Sequence, residues 1–360
     1  MKKIKVLALA LYGDTAASTR IRINQYKENL SSKDIDLYTT SLLDNFYLNY
    51  KKDRKIFPFF KLIFSYFKRA YFLIFKYDYD LIFLHCELFP FFPAFIERLF
   101  LQNKKYIYDF DDAFYLKYRE GKYSFLKPFL GNKFDRMISH AYRVTAGSNT
   151  LFSYASALNK YTVFLPSSLD MSRVQKTNKE IKDFSRENPL ILGWIGSPST
   201  EKYLRILKEP LEELGHEIFI KLVIVGGRAG FFKNIAVEEI SWSQEIENSF
   251  LNSIDVGVMP LSDDRWSQGK CGYKLIQYMG FAKPVIASRV GANKEIVNSS
   301  CGILVSDKKS WKEAILYFYN KPQALKEFGI NSEKIIVNNY SISANFQKLE
   351  NAIIDTYESS

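Results

Sequence analysis

Leu190-Ile191-Leu192-Gly193-Trp194-Ile195 runs directly into Gly196-Ser197-Pro198-Ser199-Thr200, and a helical pattern follows from Glu201 to Leu214. An apolar run, a small-residue loop and a helix in that order form the strand-loop-helix unit of a parallel α/β sheet. Small residues let a backbone approach a ligand closely, and free N–H groups where a helix begins favour phosphate oxygens. A diphosphate fits such a loop at Gly196, Ser197, Ser199 and Thr200, and Ser199 or Thr200 serves equally well as a plain N-cap.

The same order recurs on either side. Downstream, Ile218 to Val225, Val237 to Ile240, Val256 to Met259, Pro284 to Ala287 and Gly302 to Val305 read as strands separated by helical segments. Upstream, residues 171–189 are polar and charged and have the composition of a linker. Before them, Ile4 to Leu11, Leu81 to His85, Lys105 to Asp109, Arg143 to Ala146 and Tyr161 to Leu165 repeat the alternation. The pattern predicts an α/β fold of two Rossmann-like doubly wound domains facing across a cleft, over residues 1–170 and 190–335. Ligands of such sheets bind beyond the carboxyl ends of the strands, so the loops there carry the candidate chemistry.

Composition agrees. With 360 residues, 47% hydrophobic and 25% charged, the chain can bury more than one core and lacks the signature of disorder. Its 50 Lys+Arg against 39 Asp+Glu leave a formal +11, which suits a polyanion, an anionic membrane or a phosphorylated substrate without choosing among them. Cys86, Cys271 and Cys301 are odd in number and widely spaced, with no CxxC pair, which argues against a disulfide framework and a structural zinc. Met1-Lys2-Lys3 before the apolar Val6 to Leu11 has the outline of a short signal peptide, but the strand-loop-helix pattern that follows favours a buried first strand. No run reaches the roughly 18 apolar residues of a spanning helix, so a soluble or peripheral protein is expected.

One segment departs from the pattern. Lys51 to Lys76 carries eight basic residues and one acid, a net +7, interleaved with Phe57, Phe59, Phe60, Phe64, Tyr66, Phe67, Tyr71, Phe72 and Phe75. On a helix after Pro58, Lys61, Ser65, Lys68, Arg69 and Lys76 share a stripe and leave a broad aromatic face. That is the make-up of an interfacial helix on an anionic bilayer, and also of a core helix with a solvated basic edge. No nucleic-acid-binding motif accompanies it, so no nucleic-acid partner is expected.

Lys270 and Lys274 are four apart and share a face if a helix starts near Gly269. Two ammonium groups beside a helix N-terminus would neutralise a departing diphosphate, and the bland alternative is a solvated pair. Arg20 and Arg22, after the first strand, are placed to reach a phosphate. His85 and Glu87 end another strand, where a lone histidine is often a satisfied structural residue.

Trp266 to Ser288, Val290 to Val297 and Gly302 to Val305 together resemble the donor-binding half of a family 4 glycosyltransferase of the GT-B fold, of the bacterial surface-polysaccharide type. Gly193 to Thr200, Pro260-Leu261 and Pro166-Ser167-Ser168-Leu169-Asp170 are similar as well. So are Ser18-Thr19-Arg20-Ile21-Arg22, Tyr108-Asp109-Phe110-Asp111-Asp112-Ala113 and Ala146-Gly147-Ser148-Asn149 in the amino-terminal half. The resemblance implies a nucleotide-diphosphate sugar held mainly by the second domain and a saccharide or lipid-linked acceptor held mainly by the first. It also implies transfer with retention, no metal or other cofactor, and residues 336–360 ending in a helix that crosses back to the first domain. A cytoplasmic enzyme, peripheral on the inner membrane face, is the expected setting.

The departures from that pattern are specific. Two glutamates separated by seven intervening residues usually flank the donor, and Gly269 and Gln277 stand at the matching positions. Gln277 retains hydrogen-bonding capacity for ribose or sugar hydroxyls but brings no charge. Ser197 stands where an arginine is expected, leaving the phosphate contacts to Lys270 and Lys274. Asp111 falls where many members carry a histidine near the reacting sugar, with Asp109 and Asp112 beside it. A carboxylate there would orient sugar or acceptor hydroxyls. The alternatives are a divalent metal site on the three acids and a helix cap at Asp112. Trp242 and Glu245, by order along the chain, fall to the nucleobase and its ribose. With both glutamates missing, a non-catalytic nucleotide-sugar-binding protein on the same scaffold is the rival function.

Overall fold

The computed structural model describes residues 3–44, 59–75, 78–177 and 183–359. The chain divides into two compact units, Met1–Ser167 with Asn345–Ser360, and Ser168–Ala344. Each is built on a six-stranded sheet whose paired strands are all parallel.

In the first unit the strands are β1 (Ile4–Tyr12), β2 (Ile35–Leu43), β3 (Leu81–His85), β4 (Tyr106–Phe110), β5 (Arg143–Ala146) and β6 (Thr162–Phe164), in the order β2-β1-β3-β4-β5-β6. The whole of Val6–Leu11, Leu81–His85 and Tyr106–Phe110 is buried, because helices cover both faces of a parallel sheet. The signal-peptide-like opening is thus an interior strand, paired on both sides. The order reverses between β1 and β3, and that switch point is where a crevice opens at the strands' carboxyl ends.

The second unit holds β7 (Leu190–Ile195), β8 (Ile220–Val225), β9 (Ala236–Ile240), β10 (Val256–Met259), β11 (Val285–Ser288) and β12 (Gly302–Val305). Their order, β12-β11-β10-β7-β8-β9, places the switch point between β7 and β10. The predicted linker is partly core: Met171 and Val174 pack on this unit's buried cluster, as does Leu169, which forms a parallel bridge with Ser341. Residues 178–182 of that stretch lie outside the described residues.

The last helix, Ile342–Glu358, starts in the second unit and gives its residues from Asn345 onward to the first. There Lys105 Nζ donates to the carbonyls of Tyr357, at 2.7 Å, and Ser359, and Arg143 pairs with Asp355 at 2.9 Å.

The aromatic segment forms a helix over Phe59–Phe75. Its inner face packs Leu62 and Tyr66 on the apolar ends of β1 and β2. Arg69 does not join an exposed basic stripe. It is buried and donates to the carbonyls of Ala10 (2.7 Å), Thr40 (3.2 Å) and Leu88 (3.3 Å), and burial lowers its pKa to about 9. The outer face is apolar, with Phe60 85%, Phe64 69% and Phe67 70% exposed, and Lys61 and Lys68 beside them. Lys51, Lys52, Arg54, Lys55, Phe57, Pro58 and Lys76 lie outside the described residues. Among the described residues no helix is long and apolar enough to cross a membrane.

Candidate functional site

The switch point of the second unit gathers a glycine-lined platform. β7 ends with Trp194 fully buried, and Gly196 N–H donates to Val225 O at 2.9 Å, tying the ends of β7 and β8 together. A Cβ on Gly196 would fall 2.3 Å from the Trp194 ring and 2.7 Å from Lys274 Nζ. Gly226, at φ +77°, is held as closely, since a Cβ there would lie 2.3 Å from Gly196 O and 3.2 Å from Trp242 Cβ. The ends of β7 and β8 therefore meet with bare backbone facing the space that Trp242 borders.

Lys274 completes the platform. Its ammonium lies 4.1 Å from the centroid of the Trp194 ring and 3.5 Å from Thr200 Oγ1. It is the second residue of the helix Tyr273–Gly280, which is pinned to β7 because Tyr278 Oη accepts from Ile195 N–H at 2.9 Å. The positive end of that helix and a half-buried ammonium reinforce each other toward an anion.

Lys270 is not on that helix. The short helix Arg265–Gln268 ends, the chain turns through Gly269 to Gly272, and Gly272 at φ +67° starts the next helix. A Cβ on Gly272 would lie 2.5 Å from Ile296, so the turn admits glycine alone. Lys270 is thus carried by the turn before the helix, rather than stacked one turn below Lys274 on a common helical face. Gln277, further along the helix, is buried.

Ser197, Ser199 and Thr200 fold on themselves: Thr200 Oγ1 donates to Ser197 O at 2.9 Å and accepts from Ser197 N–H at 3.2 Å, and the Ser197 and Ser199 hydroxyls lie 2.8 Å apart. The segment that follows begins as a 3₁₀ helix, Glu201–Leu207, without a side-chain cap. Trp242 Nε1 donates to Glu247 Oε1 at 2.8 Å. Glu245 is exposed on the first turn of the helix Gln244–Ser253, its carboxyl lowered by a bond with Ser243, so Glu247 rather than Glu245 partners the tryptophan.

The first unit's switch point is organised around Asp109, which is fully buried. Arg22 donates to both its oxygens, at 2.5 and 3.2 Å, and to Leu165 O at 2.7 Å; Thr145 donates at 2.6 Å, and His85 Nδ1 lies 2.7 Å away. Burial alone would raise the Asp109 pKa, but Arg22 and His85 overcome it and hold the carboxyl well below the usual range. Arg22, 2% exposed, is therefore an orienting residue and does not present its guanidinium to a phosphate. Arg20, on the same helix Ala17–Arg22, is half-buried.

Bonded through Nδ1 to a permanent carboxylate, His85 keeps its proton on that side and turns Nε2 toward Asp111, whose Oδ1 lies 3.8 Å away. Glu87 points into the protein instead. It pairs with Lys133 at 2.9 Å and with Lys117, and accepts from Tyr118 Oη at 2.9 Å, so the lysines hold it low despite burial. Lys133 also pairs with Glu97 at 2.9 Å, and burial raises Glu97 to about 7. Asp109, Asp111 and Asp112 do not act as a trio, since Asp109 is committed to Arg22, His85 and Thr145. Asp112 caps no helix; the 3₁₀ turn Phe114–Leu116 that follows is preceded by Ala113.

Two features were not singled out from the sequence. Trp194 is the ring on which Lys274 rests, and its signal is a large aromatic two residues before a loop glycine. Gly226 was passed over because its role depends on Gly196 O, which only the pairing of β7 with β8 brings near.

Residues 189–321, the span that carries this platform, match the model of a family described as glycosyl transferases group 1. No curated protein matches the chain. Among solved structures, sucrose-phosphate synthase from Thermosynechococcus elongatus is 16% identical, with a TM-score of 0.72 over 99% of this chain and 100% of that one. HepE from Anabaena, solved with UDP-glucose, is 15% identical, with a TM-score of 0.71 over 98% and 100%. The lipopolysaccharide outer core galactosyltransferase WaaB, in its apo form, is 14% identical, with a TM-score of 0.62 over 98% and 99%. At these identities the likeness is one of fold, and the fold is GT-B: two α/β units on six-stranded parallel sheets.

Proposed function

We propose that this chain is a family 4 glycosyltransferase that moves a hexose from a nucleotide-diphosphate sugar to a saccharide or lipid-linked acceptor, with retention, in surface-polysaccharide synthesis. The observation that carries the reading is the Lys274 ammonium seated over Trp194 beside Gly196, within the span that matches the glycosyl transferases group 1 model. In this reading Gly196, Ser197, Ser199 and Thr200 receive the diphosphate. Lys274, the helix N-terminus behind it and Lys270 counter the charge that develops as the sugar departs, with no metal at the phosphates. Trp242 lies against the base, and Glu245 and Gln277 meet ribose or sugar hydroxyls. Asp111 positions a reacting hydroxyl, held in place across from His85, with Arg22 fixing the His85 support. Arg20 and Asp112 stand at the acceptor side.

The bare apolar face of Phe59–Phe75 supports a peripheral enzyme on the inner, cytoplasmic face of an anionic membrane, where a lipid-linked acceptor would be met. A thermal-shift screen against UDP, GDP, ADP and CMP with their sugar conjugates, with and without EDTA, tests the donor half. HepE was solved with UDP-glucose, which makes UDP the first probe. A rise in melting temperature with one nucleotide that survives EDTA, together with release of that nucleotide from its sugar conjugate, is expected. Binding without any release would convert the reading to a non-catalytic nucleotide-sugar-binding protein, and absence of any shift would overturn it.

A further inference from the structure

His85, Cys86 and Asp111 bring a nitrogen, a sulfur and a carboxylate oxygen within 4.8 Å of one another at the ends of β3 and β4. Side chains of successive strand residues point to opposite faces. Cys86 breaks that rule because its φ is +67°, in the left-handed region that a non-glycine residue enters at a cost. The strained turn is clamped on both sides: Cys86 N–H donates to Asp109 O at 2.9 Å, and Cys86 O accepts from Tyr108 Oη at 2.6 Å. Its effect is to set Sγ alongside the imidazole of the preceding residue.

The imidazole is prepared in a particular way. Nδ1 donates to the Asp109 carboxylate at 2.7 Å, and Nε2 is buried with no hydrogen-bond partner. A ring nitrogen in that condition has lost its water and gained nothing in return, a penalty that a bound ion would remove. A carboxylate behind a histidine whose other nitrogen is open is the outer-shell arrangement of metal-ligating histidines. A tetrahedral ion with bonds near 2.0–2.3 Å needs ligand atoms roughly 3.3–3.8 Å apart. The His85 Nε2 to Asp111 Oδ1 separation of 3.8 Å already meets that edge, and half-exposed Asp111 provides the entry.

We propose that His85 Nε2, Cys86 Sγ and the Asp111 carboxylate bind one zinc-class divalent cation, leaving a fourth position for a water or hydroxyl oxygen. Imidazole with a thiol selects zinc or cobalt over magnesium or calcium. On binding, the Cys86 S–H bond breaks, its proton leaves to solvent, and the sulfur electron pair forms the bond to the ion. Looking for CxxC pairs misses this site, since its donors are one cysteine, the histidine before it and an acid from the next strand. The assignment does not rest on the glycosyl-transfer reading, and a protein that bound no nucleotide would still test it.

The experiment is titration of the full chain, reduced and stripped with EDTA, with Co²⁺ in the visible and near ultraviolet. One equivalent should bind with tetrahedral d–d bands and a thiolate charge-transfer band, and Zn²⁺ should displace it. Cys86→Ala should remove the charge-transfer band, and Asp111→Asn should weaken binding by about tenfold or more. Should Cys86→Ala fail to fold, Asp111→Asn carries the test on a residue that is not part of the core. Absence of stoichiometric Co²⁺ binding, or the same spectrum and affinity in the variants, would overturn the assignment.

Discussion

Gly196→Ala adds a single methyl group at the point where β7, Trp194 and Lys274 meet. That methyl would sit 2.3 Å from the outer carbons of the Trp194 ring and 2.7 Å from Lys274 Nζ. The lysine end can swing aside, but Trp194 is fully buried and has nowhere to go without shifting the sheet. Overpacking of this kind costs about 1–3 kcal/mol, and a 2 kcal/mol loss lowers the melting temperature by about 4–8 °C in a domain of this size. The displaced ammonium also leaves its seat over the ring, so nucleotide should no longer raise the melting temperature. Gly230→Ala is the matched control, since a Cβ there meets nothing within 4 Å, and it should melt within error of the parent. Differential scanning fluorimetry of the three proteins, with and without the nucleotide that shifts the parent, reads both effects. If Gly196→Ala melted with the parent and kept the nucleotide shift, the close approach of backbone, ring and ammonium would not be what forms the donor platform.

Lys274→Ala should lower turnover by about 10²-fold or more while costing the fold about 1 kcal/mol or less, because the lost ring contact is half-exposed; steady-state nucleotide release beside a melting curve separates the two. Arg22→Leu should destabilise the first unit by about 3–5 kcal/mol in urea unfolding, because it takes the guanidinium away from a fully buried carboxylate and leaves only His85 and Thr145 against it. The pH dependence has a definite sign: Asp109 has a lower pKa folded than unfolded, so its contribution is full above about pH 4 and is lost as pH falls further. Unfolding curves at pH 7, 5 and 3 should show that acid loss in the parent and a shallower one in Asp109→Asn. Replacing Phe60, Phe64 and Phe67 together by Ser should leave the melting temperature unchanged, since all three are exposed, yet abolish flotation with anionic liposomes; retained flotation would remove the membrane contact from this helix.

The alternation of strands and helices was legible because parallel strands covered on both faces appear as unbroken apolar runs, as in Val6–Leu11 and Leu222–Val225. β2 was missed for the complementary reason. It is an edge strand, and Asp36 and the consecutive Thr39, Thr40 and Ser41 break up its apolar residues on a half-solvated surface. The site was less legible than the fold. Arg22 finds Asp109, and Arg69 finds Ala10 O and Leu88 O, across separations that local pattern does not encode. A charge in sequence looks solvated until the sheet order shows which carboxylates and carbonyls converge on it. Lys270 was misplaced because spacing of four assumes a continuous helix, and Gly272 in the left-handed region interrupts it. The close approach of backbone at Gly196, by contrast, was legible from composition alone, since it demands small residues wherever it occurs.

The first unit is discontinuous along the chain, and that orders events on the ribosome. Residues 168–344 can gather their whole core before residues 345–359 are made, but residues 3–167 must wait for them. Lys105 and Arg143 meet Tyr357, Ser359 and Asp355 only after the whole of residues 168–344 has been made. The half made first is thus the half finished last, so chaperone protection during translation should centre on the amino-terminal sheet.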